Sequence, residues 1–254
     1  MNIPELPITN PEYGAGVYRR RIRLVPEDQC IVAELEDNNH GFRVRIEHDG
    51  QIISRITGDA LRTPLSTCPA ALSRLQRLVG ADLRSEAAQL SRLADPASNC
   101  THWLDLTLLA INHIPRGAGT RQYDVAVTDA QDGISTLSVR CNGVIMHSWH
   151  ANGLALTAPE ALAGRTLFRG FSAWARECFD EEALEAALVL QRGNFVAQAR
   201  RFANPLGDDS EPVAAHQNGN VCYSYSPEVL QHAEREPNSV RDFSETPELL
   251  LKFV

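Results

Sequence analysis

The sequence predicts an α+β fold made of two antiparallel β-meanders, each followed by helices. Three observations lead there. Apolar residues alternate with polar ones in four short runs between Gly16 and Ile56, the two-residue period of strands with one buried face. Residues 69 to 92 switch to intervals of three and four, with Leu72, Leu75, Leu78 and Val79 as the apolar stripe of a helix. The same order of periods then returns, because VAVTDAQDGISTLSVRCNGVIMHSW lays over VAELEDNNHGFRVRIEHDGQIISRI.

Taken in order, YRRRIRL, CIVAELED, FRVRIEHD and QIISRITG are the strands of the first meander, separated by PED, NNHG and DG, which are turn chemistries. Phe42, Val44 and Ile46 alternate with Arg43, Arg45 and Glu47. His40 falls in a turn and His48 at the far end of a strand. Pro69 suits the first position of a helix, where its missing N–H is not needed, and Gly80 is a natural stop. A short helix is expected after Asp82, and the loop Asp95 to Asn99 leads to another over Thr101 to Asn112.

The segment from Ile114 to Thr120 is the best internal boundary. It divides the chain into residues 1–115 and 116–254, as two small domains or as halves of one. In the overlay Asp37 falls on Asp129 and Gly41 on Gly133. An internal pseudo-repeat of this kind would pair two sheets about a pseudo-two-fold axis. In the second half AGRTLFRGFSAWAREC and DEEALEAALVLQRGNFVAQARRF have helical spacing, and Asp180, Glu181 and Glu182 give an acidic first turn that complements the helix dipole. Asn204 to Tyr225 is a long turn-rich stretch of the kind that forms lids. A short helix is expected near Pro227 to Arg235, and the apolar LLLKFV is expected to dock on the body.

Composition narrows the partners. With 43% apolar and 22% charged residues the chain reads as an ordinary globular protein, and no apolar run approaches the roughly 18 residues of a membrane span. The net charge of −8 and the absence of a basic run with interleaved aromatics disfavour nucleic acid. Lys252 is the one lysine, so arginine carries the positive charge; Arg43, Arg45, Arg55 and Arg62 would suit a carboxylate or phosphate if they shared a face. The first residues show no secretory signal, which makes the cytoplasm the expected location. Six irregularly spaced cysteines are not a disulfide framework and are read as reduced.

The chemistry-bearing residues gather at two loop-to-helix junctions. Cys68 precedes Pro69, and Cys100 opens the helix that carries His102. A thiol at a helix start is a candidate nucleophile, because the dipole and free N–H groups favour its thiolate; a buried cysteine with a packing role is the alternative at each position. By residue type His40, Cys68, Cys100 and His102 meet the needs of a tetrahedral zinc or iron site. Asp105, three residues beyond His102, is an acceptor candidate for its ring N–H. Cys68, Cys100, His102 and Asp105 are therefore the candidate catalytic set. His48 is a spare candidate, His147 and His150 point to opposite faces of one strand, Cys141 and Cys178 read as core, and Cys222 lies in a loop.

The pattern HGFRVRIEHDG, RTPLSTCPAAL, CTHWLDL resembles that of an uncharacterised bacterial domain family, which implies no activity. Residues 32–111 are also similar in layout to the iron-sulfur cluster assembly scaffolds: a meander with a ligand turn, then a cysteine at the start of each of two helices. That resemblance implies a scaffold-like fold with Cys68 and Cys100 in the places of two scaffold cysteines. The turn here reads Asn38, Asn39, His40, Gly41 where the scaffolds carry a cysteine, so it implies a metal site more than cluster donation. The expected function is a metal- or cysteine-dependent enzyme, a hydrolase or lyase acting on a small organic acid, ester or thioester. The alternative is a metal or iron-sulfur carrier without turnover.

Overall fold

In the computed structural model, which describes residues 8–117, 119–202 and 222–253, the four period-2 runs of the first meander are strands. These are β1 (Val17–Glu27), β2 (Cys30–Asp37), β3 (Gly41–His48) and β4 (Ile53–Arg62). The second meander supplies β5 (Arg121–Thr128), β6 (Ser135–Cys141), β7 (Val144–Asn152) and β8 (Ala155–Ala158). All eight belong to one sheet in the order β4-β3-β2-β1-β5-β6-β7-β8, where the overlay had suggested two. The pairs β2–β3, β3–β4, β5–β6, β6–β7 and β7–β8 are antiparallel, and the fold class is α+β.

The described residues fall into two compact units. Among the described residues, one draws on 22–121, 222–241 and 251–253, the other on 8–21, 122–202 and 242–250. The break after Arg121 lies just past the boundary read from the sequence, and each unit also takes in segments distant along the chain.

In the first of these units the alternation of β3 buries Phe42, Val44 and Ile46 completely, while Arg43 and Arg45 pair outward with Glu34 and Glu27 at 2.7 and 2.9 Å. Helix α1 (Ala87–Ala94) and helix α2 (Thr101–His113) follow. α2 lays Trp103, Leu104, Leu106, Ala110 and Ile111 against β2 and β3, the stripe that a helix on a sheet must bury. Cys68–Leu78 is helical but of the 3-10 type. Within it the Ser73 hydroxyl donates to the Ala70 carbonyl at 2.8 Å, a local competitor for the longer-range helical bond.

In the other unit β6 and β7 are joined by Asn142-Gly143, both at positive φ (47° and 83°), as a two-residue hairpin turn with right-handed strand twist requires. Helices α3 (Phe171–Cys178) and α4 (Glu181–Ala197) follow. The Asp180 carboxylate accepts the Ala183 N–H at 3.3 Å and caps α4, the role its acidic first turn predicts. Helix α5 is a single turn, Pro227–Leu230. Most of the expected lid, residues 204–221, lies outside the described residues, as does residue 254.

Candidate functional site

The turn between β2 and β3 is fixed before any ligand is considered. Asp37 N donates to His40 O at 2.9 Å, and Asp37 Oδ1 accepts the N–H groups of Asn39 and His40 at 2.8 and 2.9 Å. A short carboxylate at the first turn position makes this local closure possible. The same Oδ1 lies 3.0 Å from His40 Nδ1, so the carboxylate that closes the turn also orients the imidazole. Asp37's side chain is 0% exposed and His40's 12%.

A clamp holds the turn from the outside. The ladder of β3 and β4 shifts register between Gly41 and Phe42, which face Arg62 and Ala60; the extra residue, Leu61, is a bulge that re-aims the strand end. Arg62 is thereby delivered opposite the turn. Its guanidinium donates to the carbonyls of Asp37 (2.6 Å), Asn38 (3.0 Å), His40 (3.3 Å) and Ser239 (2.6 Å) and to Glu36 Oε1 (3.1 Å). Glu36 is fully buried, and its other oxygen accepts Leu251 N–H at 2.6 Å and Phe253 N–H at 3.4 Å. Leu251 and Phe253 of the tail therefore dock through their backbone N–H groups.

His102 arrives from α2. The sequence Asn99-Cys100 ends a loop, with Asn99 Oδ1 accepting Cys100 N–H at 2.9 Å, and the helix starts at Thr101. His102 then stacks on His40 with ring centroids 3.7 Å apart and planes 26° from parallel. Trp103, next on the helix, packs on Phe42 at 4.5 Å, giving the two imidazoles an aromatic floor. Trp103 comes within 2.8 Å of where a Cβ on Gly58 would stand, so β4 needs glycine there for the indole to lie flat.

One ligand atom from each of Asp37, His40 and His102 lies within 4.8 Å of the others. Of the four residues chosen by type as metal ligands, the structure thus brings together His40 and His102 and leaves Cys68 and Cys100 outside that cluster. Asp37 is the member that sequence reasoning missed as a ligand. Its signal was the three-residue spacing to His40 across a turn, which places carboxylate and imidazole on one concave edge. Asp105 stands half-buried one turn beyond His102 and is outside the cluster. His48 accepts the Gly50 N–H at Nδ1 (3.2 Å) and belongs to its own turn.

The thiols gather separately. Cys68 begins the 3-10 helix and Cys100 precedes α2, as their sequence positions predict. Burial dominates their chemistry: it pushes the Cys68 thiol up to about 11 and raises Cys100 further, with Cys222 and Cys68 adding to the effect. The helix-start environment expected to favour thiolate is outweighed by lost hydration. Cys141 is buried, whereas Cys178, expected in the core, is exposed on the last turn of α3. The arginines proposed as an anion clamp are engaged too: Arg43, Arg45 and Arg62 sit in the ion pairs above, and Arg55 lies 3.9 Å from Glu47.

No protein-family model matches this chain, and no curated protein is significantly similar to it.

Proposed function

We propose that this protein binds a divalent transition metal through Asp37, His40 and His102 and uses it to act on a small organic acid, ester or thioester. The observation behind the reading is the convergence of the three ligand atoms within 4.8 Å at a turn that is already held rigid. Two imidazoles and a carboxylate suit zinc or ferrous iron. With bonds of about 2.0–2.2 Å, ligands around one tetrahedral ion lie about 3.3 Å apart, so the cluster must contract by about 1.5 Å at most. Imidazole lone pairs lie in the ring plane, hence coordination requires one ring to turn out of the stack. Three protein ligands leave a position for water or a carbonyl oxygen, and a bound ion there would polarise the carbonyl or acidify the water. The positive end of α2, beside His102, favours anionic groups at the same place.

The 3.0 Å contact between Asp37 and His40 supports a second reading without metal. A carboxylate that holds Nδ1 leaves Nε2 as a general base toward water. Metal content separates the two. Elemental analysis and calorimetric titration of the full chain with Zn²⁺ and Fe²⁺ should give one ion per chain, lost in His102→Ala and His40→Ala and kept in Cys100→Ala. Hydrolysis of a panel of small esters and thioesters that stops with a chelator supports the metal enzyme. Chelator-insensitive hydrolysis that His40→Ala abolishes supports the dyad, and stoichiometric metal with no turnover supports a carrier.

A further inference from the structure

Outside the Asp37–His40–His102 cluster, three thiols approach one another in the same unit. The short 3-10 turn Tyr223–Tyr225 is tied down at two points: Tyr223 N–H donates to Asn99 O at 3.0 Å, and the Ser224 hydroxyl donates to Cys68 Sγ at 3.5 Å. Cys222 and Cys100 each adjoin the first of these bonds, one residue from its donor and one from its acceptor. Standard peptide dimensions then bound their Cα separation at about 8 Å, and a disulfide spans Cα atoms about 4.4 to 6.8 Å apart. Cys222 stands in extended backbone (φ −160°, ψ 175°) and is half-buried, whereas Cys68 and Cys100 are buried. Both residues of the Cys222–Cys100 pair therefore sit on segments already bonded to each other, Cys222 half-buried and Cys100 buried.

We propose that Cys222 and Cys100 are the two halves of a reversible disulfide, a redox-modification site with a hydroperoxide as oxidant. The Cys222 sulfur attacks a peroxide oxygen, the O–O bond breaks, and water or an alcohol leaves, giving a sulfenic acid. The Cys100 sulfur then attacks the Cys222 sulfur, the S–O bond breaks, and the hydroxyl leaves as water with the Cys100 proton. Two thiols are oxidised and one peroxide is reduced. The bond would fasten the segment at residues 222–225 to the start of α2, two residues from His102.

The test treats the full chain with hydrogen peroxide, alkylates the remaining thiols and maps linked peptides by mass spectrometry. A Cys100–Cys222 link, reversed by dithiothreitol, absent in Cys222→Ser and retained in Cys68→Ser, is the expected result. Cys178→Ser should form the same link, and circular dichroism on each variant checks that it is folded. A Cys68–Cys222 link instead, conversion of Cys222 to sulfinic acid without a link, or two alkylated thiols under conditions that oxidise the exposed Cys178 would each overturn the proposal. Metal content does not enter these outcomes, so they stand apart from the fate of the Asp–His site.

Discussion

Replacing Arg62 with methionine isolates the clamp on the β2–β3 turn. Methionine keeps much of the side chain's length and apolar stem but removes every donor, so Glu36, 0% exposed, loses its cation. Breaking a buried pair from one side costs about 3–5 kcal/mol, because the remaining charge is left without compensation. Here Glu36 keeps the Leu251 N–H at 2.6 Å, which places the expected cost near the lower end, about 3 kcal/mol. Some of that loss comes from four backbone carbonyls that give up a charged donor. For a chain of this size the midpoint of thermal unfolding should fall by about 6–12 °C. Urea unfolding of Arg62→Met, Glu36→Gln and the double variant forms a cycle in which the double variant recovers part of the single loss, since no bare charge then remains. A single-variant cost below about 1 kcal/mol, the range of solvated surface pairs, would refute the argument. The same variant should weaken metal binding, because the carbonyls of Asp37, Asn38 and His40 are the groups that Arg62 holds in place.

Other positions give further tests. Gly58→Ala would put a methyl 2.7 Å from Arg43 O and 2.8 Å from the Trp103 ring; overpacking of this kind costs about 1–3 kcal/mol, and a denaturation midpoint equal to wild type would count against the packing described. Gly16→Ala would place a methyl 1.7 Å from Arg200 Nη2 and should displace the guanidinium from Asp129, with a loss of about 1–3 kcal/mol by urea unfolding. Burial lowers the pKa of His147 below its usual 6.5. The unfolded chain therefore binds a proton more readily, and stability should fall as pH drops below about 6.5 until the folded-state pKa is reached. His147→Gln should flatten that part of the pH profile; an unchanged slope would show that another group is responsible.

Periodicity made the fold class legible. Strands show in the sequence when one face is buried and the other solvated, and β3 has this character throughout its middle, so its place and facing could be read directly. The helix at Thr101–His113 was equally plain. The site was half legible. His40 and His102 stand out by type, but what joins them depends on the sheet bulge at Leu61 and on Arg62, and neither bears a local signature. Glu36 would ordinarily be assigned to a solvated position, since nothing near it in sequence announces an arginine 26 residues away. The thiols misled for a related reason. A helix start favours thiolate only when water or a cation shares the stabilisation, and local sequence does not report whether the junction is sealed beneath neighbouring chain.

Asp37 and Asp129, which the sequence overlay aligns, both accept backbone N–H groups. Asp37, the last residue of β2, gathers the N–H groups of its own turn, Asn39 and His40, whereas Asp129, just after β5, gathers those of Gly14 and Gly16 from a distant part of the chain. The third partner differs as well. Asp129 is saturated by Arg200 through two bonds of 2.8 and 3.0 Å, a fork that neutralises the carboxylate permanently because guanidinium does not give up its proton. Asp37 faces the His40 imidazole instead, a group whose ring nitrogens can donate a hydrogen bond or offer a lone pair. A carboxylate near a strand end thus serves as a long-range structural tie at Asp129 and as the support for candidate reactive groups at Asp37. The distinction rests on whether histidine or arginine occupies the place beside the aspartate, and it explains why the candidate chemistry lies at Asp37 and not at its counterpart.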